Sequence, residues 1–95
     1  MHRTDKNIAY HELIGLQVEV ISHIDPSLIG VKGVIIDETM NTLRIADANH
    51  RKIVTVMKNG GIFVFTIPEN GAKAYIDGSQ IVGRPEDRLK KLARR

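Results

Sequence analysis

The sequence predicts a mainly β protein: one small antiparallel β-barrel of five to six short strands, with a short helix at each end. Three observations carry this. Runs rich in β-branched residues recur about ten residues apart, turn residues separate them, and no helical segment falls between consecutive strands. Strands that follow one another without helical crossovers exclude a parallel βαβ sheet. A chain of 95 residues encloses one hydrophobic core and not two, so residues 1–95 are read as a single domain.

The first element is a helix over residues 7–14, capped by Asn7 and stopped by Gly15. The barrel occupies residues 16–83. Its first strand shows in Leu16, Val18 and Val20 alternating with Gln17 and Glu19, the pattern of a half-buried strand. Asp25-Pro26-Ser27 has turn chemistry. Gly30 and Gly33 bracket a second strand through Val34-Ile35-Ile36, where glycine is expected to mark a bulge or sharp bend. Four more strands are placed at Thr42–Ala46, Lys52–Met57, Ile62–Ile67 and Ala72–Ile76, with turns between them. Arg84-Pro85-Glu86-Asp87 then opens a basic helix over residues 85–95, with proline at its first position and carboxylates in its first turn. Glu86 faces Lys90 and Asp87 faces Lys91 at helical spacing.

With 42% apolar and 26% charged residues, the chain is globular, and no apolar run approaches the roughly 20 residues of a spanning helix, so no membrane partner is expected. The absence of cysteine removes disulfides, thiolate zinc sites and cysteine nucleophiles. Together with an N-terminus unlike a signal peptide, it favours the cytoplasm. The histidines, at 2, 11, 23 and 50, lack the close spacing of metal ligands. Ser22, His23 and Asp25 are too near one another in sequence to meet as a catalytic triad. The glycines match no phosphate-binding loop. No catalytic residue, bound cofactor or metal is therefore expected. Phe63 and Phe65 share one strand face; in a chain with four aromatics they are read as core rather than as a base-stacking platform, while Tyr10 and Tyr75 stay open.

The net charge of +3 is unevenly spread. Residues 1–40 hold three basic and six acidic side chains, residues 41–66 hold four basic and one acidic, and residues 84–95 hold six basic and two acidic. This distribution is a footprint of polyanion binding. The candidate phosphate contacts are Lys32, Arg44, Arg51, Lys52 and Lys58 about the middle strands, and Arg84, Arg88, Lys90, Lys91, Arg94 and Arg95 in the tail.

Five ordered strings carry a family resemblance: His11-Glu12-Leu13-Ile14-Gly15; Pro26-Ser27-Leu28-Ile29-Gly30 with Gly33; Asp37-Glu38-Thr39 with Asn41-Thr42-Leu43; Gly78-Ser79; and Val82-Gly83-Arg84-Pro85-Glu86-Asp87-Arg88. Over nearly the whole chain they resemble archaeal ribonuclease P protein component one, counterpart of the eukaryotic subunit shared with the mitochondrial-RNA-processing ribonuclease. The resemblance implies an Sm-like barrel with helical extensions, in a subunit of the ribonucleoprotein that removes the 5′ leader from precursor transfer RNA. It implies that the RNA subunit and its magnesium ions do the cutting, and that this chain pairs with a zinc-ribbon subunit among the other ribonuclease P proteins. The helical ends would then be contact surfaces, with Ile8, Tyr10, Leu13, Leu89 and Leu92 toward a protein partner and Arg84 and Arg88 near RNA or partner. Asp37 to Asn41 echoes the Asp-x-x-Met-Asn of Sm proteins, but Gly33 is too close to Met40 for their first motif, so no ring oligomer is implied. Two other readings compete. The segment from Val18 to Val34 also looks like the KOW-type barrels of ribosomal and transcription-elongation proteins. A stand-alone nuclease would require an acid, base or metal cluster of its own.

Overall fold

In the computed structural model, residues 8, 12–84 and 86–88 are described. Alternating burial sets the strands. β1 (Gln17–His23), β2 (Lys32–Glu38), β3 (Thr42–Asp47), β4 (Lys52–Met57), β5 (Gly61–Thr66) and β6 (Lys73–Asp77) form one antiparallel sheet in the order β4-β3-β2-β1-β5-β6. All six expected strands are present, each within a few residues of its expected bounds.

Every strand contributes to a single core. Val18 and Val20, Ile35, Leu43 and Ile45, Val56, Phe63 and Phe65, and Ala74 and Ile76 belong to one buried cluster, so the sheet must curl around it. Two register shifts supply the bends, one between Val20 and Ser22 and one between Ile35 and Asp37. Neither bend is at Gly33. That glycine instead permits a close approach, because a Cβ there would stand 1.8 Å from the carbonyl oxygen of Ala46 on the neighbouring strand. Phe63 and Phe65 are core, with ring centroids 6.3 Å apart.

β4 and β6 are the two ends of the sheet order. Their ends are joined by contact at a 3-10 helix over Gly78–Ile81, capped by Asp77 and following directly on β6. Gly78 lies flat against the residue after β4: a Cβ on it would be 1.5 Å from the Lys58 carbonyl oxygen. Asp25 likewise caps a 3-10 helix over Pro26–Leu28, accepting the backbone N–H of Ser27 at 3.0 Å and its hydroxyl at 2.7 Å.

The terminal elements differ from expectation. Glu12, Leu13 and Ile14 lie outside any helix; the chain turns at Ile14 and Gly15, where Gly15 has φ 93° and donates to the Ile35 carbonyl at 2.7 Å. Docking onto β2 wins over continued helix because it satisfies the same backbone donor while Leu13 enters the core. Ile8 and Leu13 are completely buried in this chain's own core, which removes them from the surface offered to a partner. Glu86–Arg88 is helical, as expected. The remainder of both terminal helices, with Tyr10, Leu89 and Leu92, lies outside the described residues.

Gly78→Ala is expected to lower stability by more than about 3 kcal/mol, because backbone blocks the added methyl group. Gly71→Ala, with φ 72° but open space around it, should cost only about 1 kcal/mol. Urea unfolding of the two variants checks the difference.

Candidate nucleic-acid interface

The sequence-predicted cations separate into an exposed set and a buried pair. Lys32, Arg44, Arg51, Lys52 and Arg84 are exposed. Lys32 opens β2, while Arg51 and Lys52 stand at the β3–β4 turn. The register pairs Gly33 with Asp47 and Asp47 with Lys52, which brings these three cations to one end of the sheet. Arg44 lies mid-strand between Asp37 and Thr55. Arg84 borders an open groove of about 740 Å³ at another edge, with Met40, Asn41 and Met57 among its walls. Lys90, Lys91, Arg94 and Arg95 lie outside the described residues.

Lys58 and Arg88 are not surface groups. Their side chains are 0% and 2% exposed, and both are held by the equally buried carboxylate of Glu38. Arg88 grips it with two nitrogens, Nη1 to Oε2 at 2.6 Å and Nη2 to Oε1 at 2.9 Å. Lys58 Nζ donates to Oε2 at 2.7 Å and to the carbonyls of Thr39 at 2.7 Å, Gly83 at 2.9 Å and Met40 at 3.2 Å. Burial lowers the pKa of both cations while Glu38 opposes that shift. One carboxylate facing two cations is an excess of buried positive charge, and backbone carbonyls solvate it in place of water. Gly83 makes this possible: at φ 117° it donates to the Met40 carbonyl at 2.8 Å while its own carbonyl accepts from Lys58. The Gly-Arg-Pro-Glu-Asp-Arg string is thus fastened to the barrel through Arg88, which leaves Arg84 at the surface.

The β3–β4 turn is organised by buried Asp47. Its carboxylate accepts the Asn49 N–H at 2.9 Å and lies 2.9 Å from His50 Nδ1, and its carbonyl accepts the Arg51 N–H at 2.9 Å. Arg51 has φ 52°, the one described residue other than glycine in the left-handed region, a conformation costing about 1 kcal/mol or more. The Asp47 carboxyl is held below the usual carboxylate range, first by its bond with His50.

His23, a candidate for acid–base chemistry by residue type, has a structural duty. His23 Nδ1 accepts the Asp25 backbone N–H at 3.0 Å, so Nε2 carries the proton and donates to the Met57 carbonyl at 2.9 Å. Among the described residues no group of three or more His, Asp or Glu is placed to hold a metal ion.

Lys73 is absent from the sequence-predicted cations, and Tyr75 is open there; the structure places both. Lys73 and Tyr75 alternate with buried Ala74 and Ile76 on β6, so both project outward, and Tyr75 is 69% exposed. The signal was present in the two-residue period of the Ala72–Ile76 run.

Glu38→Gln is expected to cost about 3–5 kcal/mol in urea unfolding, since it leaves two buried cations facing an amide; Arg84→Gln should stay within about 0.5 kcal/mol. Asp47 has a lowered folded-state pKa, so its stabilisation is complete above about pH 4 and is lost as pH falls through the folded value. Thermal midpoints measured from pH 6 downward should therefore fall less steeply in Asp47→Asn than in the parent.

The comparisons converge. The sequence model of the family described as Ribonuclease P/MRP, subunit p29 matches residues 6–91. Ribonuclease P protein component 1 of Staphylothermus marinus is 50% identical over 94 residues, covering 99% of this chain and 100% of that protein. Its namesake in Methanocaldococcus jannaschii is 44% identical over 88 residues, covering 93% and 90%. A solved structure of Mth11, described as a homologue of human RNase P protein Rpp29, superposes with a TM-score of 0.59 at 40% identity, covering 81% of this chain and 96% of that one. The chain belongs to the ribonuclease P/MRP p29 family.

Proposed function

We propose that this chain is a non-catalytic, RNA-binding protein subunit of ribonuclease P, acting in the cytoplasm on the maturation of precursor transfer RNA. Membership of the p29 family over residues 6–91 carries the reading. In it, the RNA subunit with its magnesium ions cleaves the 5′ leader. The chain itself holds no cofactor, and with a zinc-ribbon subunit and the other ribonuclease P proteins it supports the substrate-specificity domain of that RNA.

The physical part of the mechanism is electrostatic. The exposed cations Lys32, Arg44, Arg51, Lys52 and Arg84 fix register and orientation on phosphates and read no sequence, because ammonium and guanidinium groups meet the same phosphate at every nucleotide. The tail cations Lys90, Lys91, Arg94 and Arg95 are proposed to add to them. Lys58 and Arg88 contribute indirectly, by holding the segment that carries Arg84.

Cleavage of precursor transfer RNA by ribonuclease P RNA and its other proteins, at limiting magnesium, tests the proposal. Adding this chain with its zinc-ribbon partner should lower the magnesium requirement or the KM; no change in either refutes the subunit role. With five phosphates neutralised, affinity for the RNA should fall roughly 500-fold between 50 and 200 mM salt. Replacing any one of the five exposed cations by glutamine should reduce the slope of log affinity against log salt by about 0.9 and leave sequence preference unchanged.

A further inference from the structure

We infer that the outer face of β1, β5 and β6 is a stacking site for an unpaired RNA base, with the ring of Tyr75 as its platform. This rests on the RNA-binding role proposed above and goes beyond it in naming a site for bases in place of phosphates.

The register makes the site. Lys32 pairs with Glu19, Glu19 with Val64, and Val64 with Tyr75, so these four side chains form one outward row across β2, β1, β5 and β6. The adjacent outward row runs Val34, Gln17, Thr66 and Lys73. Cations thus stand at opposite ends of the two rows, about three strand spacings, or roughly 14 Å, apart. Between them lies a groove of about 420 Å³ that includes Tyr75, Val64 and Ile21. Lys73 Nζ is held by the Thr66 hydroxyl at 2.7 Å and is therefore aimed before any ligand arrives.

The chemistry of this face matches a base flanked by phosphates. Tyr75 leaves 69% of its surface in water, although the neighbouring outward positions on β5 and β6 are filled by isoleucine, valine, threonine, lysine and aspartate. An exposed aromatic ring between β-branched side chains is a flat apolar surface of the kind on which bases stack. Gln17 and Thr66 offer donor and acceptor groups to a base edge, and the Glu19 carboxylate accepts from an exocyclic amine while repelling phosphate from the middle of the groove. Two lysines against one glutamate line the groove itself, while the carboxylate of Asp77 beyond Tyr75 is engaged in capping the Gly78–Ile81 helix; the lining is therefore locally positive, which suits a nucleic acid strand better than a basic or neutral protein surface. The inward neighbours Ala74 and Ile76 already fill the core below, so the fold does not require a ring at position 75.

The test titrates the full chain into a fluorescently labelled decamer of riboadenylate. Tyr75→Ala should weaken binding about 5- to 150-fold with an unchanged salt slope, and Tyr75→Phe should bind within about twofold of the parent. Lys73→Gln should instead lower the salt slope by about 0.7. The chain has two tyrosines, so in a Tyr10→Phe background the emission of Tyr75 alone reports stacking and should be quenched by the decamer. Equal binding by Tyr75→Ala and the parent overturns the stacking site and leaves the subunit role intact, as does a parent chain that binds ribonuclease P RNA but not the decamer. Loss of the zinc-ribbon subunit in Tyr75→Ala, with decamer binding unaltered, also overturns it and assigns the face to a protein. A parent chain that binds neither RNA overturns both readings. Positions 73 and 75 are exposed, and unfolding curves matching the parent's confirm that each variant is folded.

Discussion

The buried carboxylate of Glu38 is the constraint on which the rest of the structure depends. It joins the end of β2 to the residue after β4, one strand removed across β3, and ties both to Arg88, which lies outside the strand ladder. A bidentate guanidinium and a lysine on one carboxylate tolerate one geometry, because every displaced partner leaves charge without water or counter-charge. The cluster therefore contributes specificity of closure more than net stability, and it does so at the point where β4 and β6 lack a ladder between them.

From that closure follows the division of labour among the basic residues. Lysine and arginine have the same charge at the surface and inside, yet position alone decides whether they meet solvent phosphates or an internal carboxylate. Lys58 and Arg88 are consumed internally, which fixes the backbone at Met40, Gly83 and Arg84. Arg51 and Lys52 are arranged by a different device, the carboxylate of Asp47 beneath the β3–β4 turn. Two buried acids thus position different exposed cations: Glu38, through Arg88, the segment that carries Arg84, and Asp47 the turn that carries Arg51 and Lys52.

Local patterns made the strands legible. Alternation in Leu16–Val20 and in Ile62–Ile67, with turns at Asn-Gly and Asp-Pro, identified six strands because period and turn chemistry are short-range properties. The ion cluster was illegible for the opposite reason. Glu38 is 20 residues from Lys58 and 50 from Arg88, and in sequence it looks like one more polar residue at a turn. Counting charge along the chain puts Lys58 and Arg88 at the surface with the other candidate cations, since burial of a cation depends on a partner that only the folded chain brings near. The N-terminal helix failed between Glu12 and Ile14 because a two-turn helix is marginal and a backbone bond to β2 was the better use of the same amide. Tyr75 stayed open because its strand was recognised without asking which of its two faces pointed outward.

The left-handed backbone at Arg51 has a consequence for how this chain can vary over evolutionary time. Glycine or asparagine would occupy that position with less strain, so selection for stability alone would drive arginine out. Arginine there places a guanidinium at the tip of the β3–β4 turn at a cost in folding free energy. On the phosphate-contact role proposed for Arg51, a lineage that dispensed with that contact would be free to relax toward glycine, and the residue found at this position would then record whether the contact is in use.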